Sequence, residues 1–186
     1  LEGRFDKVQT KYGQVPAYPR GFAQHSHDVI PLWHKHFTAQ FPDKPNCLFT
    51  LYDVWVFNEM KFDGDIVSWV PLDHVSLPPS VAKFLMRENV TPVTMSPHGQ
   101  RQLEAAGIES TYVPHAVDMN VFKPTDNIDG ESARSVMGIS EDTFLVTMVS
   151  ANKANGIVHR KGLAEALTAF SAFYRKHPDS HLYLHM

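Results

Sequence analysis

The stretch Thr143-Phe144-Leu145-Val146-Thr147-Met148-Val149, continued by Arg160-Lys161-Gly162 and closed by Ser180-His181-Leu182-Tyr183-Leu184-His185, decides the fold class of this 186-residue chain. The first segment is a short apolar strand and the last a second one. Between them Leu163, Ala166, Leu167, Phe170, Phe173 and Tyr174 keep apolar groups on one helical face. Strand, helix and strand in that order predict a right-handed βαβ unit with parallel strands. Ligands of such sheets bind beyond the carboxyl ends of the strands. The polar loop from Ser150 to His159 runs there and delivers Arg160 and Lys161 to the first turn of the helix. Unpaired N–H groups, the positive end of the helix dipole, two cations and a glycine, Gly162, which lets a ligand approach the main chain, suit a diphosphate. A nucleotide, or a sugar carried by one, is the expected guest.

Working outward, the alternation of strand and helix continues upstream. A helix is expected over Val29 to Phe41, capped by Asp28, then strands over Cys47 to Tyr52 and Ile66 to Val70. Further elements are a helix over Ser80 to Glu88, a strand over Val90 to Met95, a helix begun by Ser96-Pro97 and ended at Gly107, and a short strand over Ser110 to Val113. Residues Phe5 to His27 show neither period and read as a loop. Composition shifts to Pro, Asp, Asn and Thr at Phe122 to Asp129, which reads as a linker, and Glu131 to Met137 is helical before the strand at Thr143. The expected organisation is an α/β unit over 1–121, a linker over 122–130 and a second α/β unit over 131–186.

Composition bounds the function. An apolar share of 43% fits a folded protein, and a formal charge of −3 with a pI near 6.4 argues against bulk nucleic-acid binding. Cys47 is the only cysteine, so no internal disulfide can form and a reducing, cytoplasmic setting is expected. No run of apolar residues reaches the roughly 18 that span a bilayer, so any membrane association is expected to be peripheral. The chain lacks an initiator Met and stops just after a βαβ unit. A truncation at both ends is therefore expected, with the terminal two-strand unit stable only when more chain or a partner completes it.

Several short motifs stand in a distinctive order: Trp69-Val70-Pro71-Leu72-Asp73, Val93-Thr94-Met95-Ser96, Ala106-Gly107-Ile108, Tyr112-Val113-Pro114-His115-Ala116-Val117-Asp118 with Phe122 and Pro124, Met137-Gly138-Ile139, and Arg160-Lys161-Gly162-Leu163 with Ala169-Phe170. Over about residues 45 to 186 this succession resembles the nucleotide-sugar-dependent glycosyltransferases of family 4, which have the GT-B fold. The resemblance implies two Rossmann-like parallel-sheet domains, both incomplete here, facing each other across a cleft. The first would bind the acceptor and the second the donor. It implies that the full-length parent is a retaining glycosyltransferase that moves a sugar from a nucleoside diphosphate to an acceptor hydroxyl, with no cofactor and no metal, and that these residues alone are inactive. The acceptor class, whether glycan, lipid or protein, is left open. Lys161 matches the family lysine that contacts the donor diphosphate, and Arg160 is its basic neighbour.

The chain also departs from that pattern. Where relatives carry a second phosphate-binding arginine, it has Ser150-Ala151-Asn152-Lys153, with Asn152 or Lys153 as the substitute; Ala116 replaces a usual glycine. Asp73 and His74 fall near the family's cleft histidine or aspartate, where they would face the reacting sugar. A turn-capping role is the ordinary reading of Asp73. His115 and Asp118 are implied cleft neighbours, with turn chemistry the ordinary reading of Asp118. Asp53, at a strand end, is the acceptor-side candidate.

A sugar-nucleotide epimerase of the same fold and a catalytically silent binding module are the alternatives. The spacings His25-Ser26-His27 and His34-Lys35-His36 suggest metal ligands, but i and i+2 on a helix face different ways and no third ligand is evident beside His25 and His27. Trp33, Trp55 and Trp69 are expected in the core.

Overall fold

A computed structural model of the chain describes residues 6–57, 60–125, 127, 130–151, 154–155 and 158–186. The chain divides into two compact units at Val117/Asp118. This boundary lies a few residues ahead of the Pro- and Asp-rich stretch read as a linker, whose residues 126, 128 and 129 lie outside the described ones.

In the first unit β3 (Leu48–Thr50), β4 (Ile66–Val70), β5 (Val90–Thr94) and β6 (Thr111–Tyr112) form a parallel sheet of four strands in sequential order. Strand β4 shows why a parallel sheet forms. Ile66, Ser68 and Val70 are buried on one face while Val67 and Trp69 are half-buried on the other, the two-sided cover that central parallel strands require. Helices α2 (Pro79–Leu85) and α3 (Pro97–Ala105) pack against β5. Between these layers Phe57, Ile66, Val70, Phe84, Leu85 and Leu103 form the core. A 3-10 turn over Val54–Phe57 drives Val54, Val56 and Phe57 into that core and leaves Trp55 57% exposed, contrary to the expectation of a core tryptophan. The architecture is α/β and compatible with a Rossmann-like domain.

Residues expected to be a featureless loop instead begin with an antiparallel hairpin, β1 (Asp6–Thr10) and β2 (Gly13–Ala17). Its turn is closed by the Thr10 hydroxyl, which donates to the Gly13 carbonyl at 2.7 Å and accepts from the Tyr12 N–H at 3.1 Å. Helix α1 spans Ile30–Thr38 with Val29 at its N-cap. Asp28 is not that cap: its carboxylate accepts the Phe22 N–H at 2.9 Å and ties the preceding loop back on itself. By contrast Ser96 caps α3 as expected, its hydroxyl accepting the Gly99 N–H at 3.0 Å with Pro97 at the first position.

In the second unit β7 (Phe144–Val149) and β10 (Ser180–His185) pair in parallel from Phe144↔Ser180 to Val149↔His185, and α5 (Leu163–Tyr174) connects them. A short helix α4 (Ala133–Val136), capped by Ser132, precedes β7. The segment between β7 and α5 is not wholly loop, since β8 (Ala154–Asn155) and β9 (Val158–His159) make a small antiparallel pair.

Candidate functional site

The parallel register of β7 and β10 brings their carboxyl ends level, so Val149 and Ser150 lie beside His185 and Met186; the Ser150 N–H donates to the His185 carbonyl at 2.9 Å. Lys161 joins them, and with Met148 and Ala151 these residues line an open pocket of about 710 Å³. The Ser150 hydroxyl is enclosed and has no hydrogen-bond partner among the described residues. Lys161 is exposed and makes no ion pair among the described residues. Among the described residues the pocket presents one ammonium at the strand ends, the region of α/β sheets where ligands bind.

Gly162 is the N-cap of α5 at φ +62° and ψ +33°. Space does not demand a glycine there, because an added Cβ would meet nothing closer than the Glu165 carboxylate at 3.7 Å. The left-handed backbone does. The left-handed turn carries the chain from Lys161 into the helix, so the ammonium precedes the first unpaired N–H groups of α5. Glu165 stands in that first turn and complements the helix dipole itself. Arg160 is exposed in the preceding turn and is not among the pocket residues. Asn152 and Lys153 lie outside the described residues.

The first unit assembles a second group of candidates at one edge of its sheet. Because all four strands run the same way, Asp53 follows β3, Asp73 and His74 follow β4, Ser96 follows β5 and His115 follows β6 at a common end. Asp73 Oδ1 lies 3.0 Å from His74 Nδ1, with the two side chains 93% and 61% exposed. The N-cap of α2 is Pro78. The loop is instead fastened to the start of α3. His98 Nε2 donates to the His74 carbonyl at 3.0 Å, the Ser76 N–H donates to Gln102 Oε1 at 2.9 Å, and buried Leu72 packs on Gly99, where a Cβ would come within 3.3 Å of the leucine. Ser76 accepts φ +71° in that loop.

His115 is held by a different set of contacts. Its Nε2 lies 2.9 Å from Met95 Sδ, and its ring centroid is 4.8 Å from that of Trp69, whose indole N–H donates to the Val113 carbonyl at 2.9 Å. The loops after β4, β5 and β6 are thus linked at the sheet end, and residues the sequence reading missed, His98 and Met95, make two of the links. The sequence signal was the Pro97-His98 step at a capped helix start, which places an imidazole on the mouth of the sheet. Trp69 is no plain core residue but one wall of this edge. Asp53 is exposed and its carbonyl accepts the Val56 N–H at 3.0 Å, so its backbone serves the 3-10 turn. In the second unit Asp118 accepts the Asn120 N–H at 2.9 Å, which is the turn role anticipated for it.

Among the described residues no group of three or more His, Cys, Asp or Glu side chains is placed to hold a metal ion. No helix among them is long and apolar enough to cross a membrane. Comparison with protein-family models, with curated proteins and with solved structures found no match to this chain.

Proposed function

We propose that the chain belongs to a retaining glycosyltransferase that moves a sugar from a nucleoside-diphosphate donor to an acceptor hydroxyl, and that the second unit holds the donor diphosphate. One observation carries this reading: the pocket at the carboxyl ends of β7 and β10 has Lys161 in its wall, at the head of the helix that joins the two strands. In this reading the bond between the sugar's anomeric carbon and the diphosphate oxygen breaks with its electron pair on the diphosphate. The acceptor oxygen forms the new bond on the same face of the sugar, and its proton passes to the departing phosphate. The ammonium of Lys161 stabilises the charge that grows on that leaving group, where electrostatic assistance is most effective. Arg160 adds long-range attraction. Asp73 with His74, and His115 on the Trp69 wall, serve the reacting sugar, and Asp53 an acceptor hydroxyl.

Calorimetric titration of the protein with UDP, GDP and ADP tests the reading, followed by transfer assays with the corresponding labelled sugar nucleotides. Saturable binding that is lost on Lys161→Ala supports it. Absence of binding to all three nucleotides by the wild-type protein removes it, and binding that Lys161→Ala leaves unchanged points to a silent module instead.

A further inference from the structure

A second pocket, of about 470 Å³, lies in the first unit beside α1. Val29, Ile30, Trp33, Phe37 and Leu48 form its walls, and Arg20 stands among them. We propose that it binds a small amphiphilic anion, an apolar or aromatic body ending in a carboxylate, sulfonate or phosphate that pairs with the Arg20 guanidinium.

The volume falls within the roughly 300–1,000 Å³ of small-molecule pockets, which are mostly apolar with a few directing polar groups. The aromatic wall is already in place. The ring of Trp33 stacks on Tyr18 at 5.4 Å and 24°, its N–H donates to the Pro19 carbonyl at 3.1 Å, and the Tyr18 hydroxyl meets His36 Nδ1 at 3.1 Å. A ligand entering there does not have to order that wall, which removes part of the usual entropic cost of binding.

Charge selects the ligand's other end. Arg20 Nη2 reaches only the Gln24 carbonyl, at 3.3 Å, and Arg20 makes no ion pair among the described residues. The nearest acidic residue along the chain, Asp28, is committed to the Phe22 N–H. Helix α1 has no acidic residue in its first turn and carries Lys35 in its last, so the helix itself adds no negative charge beside Arg20. A guanidinium with donors to spare pairs bidentately with a planar or tetrahedral anion, whereas a neutral ligand leaves it unmatched.

Fluorescence titration of the whole chain with 1-anilinonaphthalene-8-sulfonate and with its neutral counterpart N-phenyl-1-naphthylamine tests the proposal, with sedimentation velocity run alongside. The expected result is one saturable site that prefers the sulfonate, with Arg20→Ala weakening the sulfonate about ten-fold or more and the neutral probe about two-fold or less. Equal affinity of the wild-type chain for the two probes overturns it, as does an unchanged sulfonate affinity in Arg20→Ala. So does a site closed by self-association, seen as a dimer that takes up neither probe. If Arg20→Ala disturbs the circular dichroism or the melting curve, the comparison of the two probes on the wild-type chain decides alone.

Discussion

Replacing Lys161 by alanine separates a binding role from a structural one. The side chain is exposed and has no ion pair among the described residues, so its removal takes nothing from the packing of the second unit. Surface substitutions of this kind shift stability by roughly 0.5 kcal/mol or less. If the ammonium meets a diphosphate oxygen, the lost charge-assisted hydrogen bond costs about 1.5–3 kcal/mol, which is roughly 10- to 150-fold in affinity. Isothermal calorimetry with a nucleoside diphosphate, paired with a thermal melt of each variant, reads both numbers. Arg160→Ala is the internal control: this cation is exposed and outside the pocket wall, so only long-range attraction is lost and its effect should be several-fold smaller and abolished by salt. Equal losses for the two variants would refute the assignment of the contact to residue 161, and so would a Lys161→Ala protein that binds as the wild type does.

Other perturbations address the fold around these sites. Gly162→Ala puts a Cβ on a backbone at φ +62° and should lower stability by about 1–2 kcal/mol through strain alone, measured by chemical denaturation; Gly162→Asn, which tolerates that region, should recover part of the loss. Thr94→Val should raise stability by roughly 1 kcal/mol, because the threonine is fully buried and its hydroxyl has no partner among the described residues, while its carbonyl keeps the Val113 N–H; a lower melting temperature would contradict this. Acid should release the loop over residues 21–28. Loss of hydration works against the Asp28 charge, but the N–H groups of Phe22, Ala23 and Asp28 itself, with His27 nearby, outweigh it and hold the carboxyl below its ordinary value. A depressed folded pKa means that the tie is complete above about pH 4, the unfolded carboxyl value, and is lost as pH falls through the folded one. Asp28→Asn should remove that acid-dependent step from the indole fluorescence, to which Trp33 contributes through its N–H contact with Pro19 just ahead of the loop.

The candidate sites were legible where local chemistry and tertiary need agree. Strand β4, helix α5 and strand β10 begin and end where periodicity puts them, and Ser96-Pro97 caps α3, because each element has one face to bury and a clear stop. The β1–β2 hairpin was invisible for the opposite reason. Val8 and Val15 oppose each other and are both exposed, so no face is buried and no alternation marks the strands. Asp28 looked like a helix cap, since an acidic residue before an apolar run is the usual sign of one. The folded loop offered its carboxylate a different N–H at equal sequence cost. Trp55 was expected inside because tryptophan is large and apolar, yet a 3-10 turn sends Val54, Val56 and Phe57 inward and turns Trp55 to the outside.

Sequence alone determined the alternation of strand and helix, the cap at Ser96 and the position of Lys161 at the head of α5, because each depends on the spacing of nearby residues and on backbone chemistry within a few positions. Only the tertiary structure decided that β7 and β10 end level so that Lys161, Ser150 and His185 share one pocket. It also decided that His98 braces the loop of Asp73 and His74 and that His115 rests on Trp69 and Met95. Those contacts join residues some 20 or more positions apart, and their geometry follows from strand order and register, which no local pattern encodes.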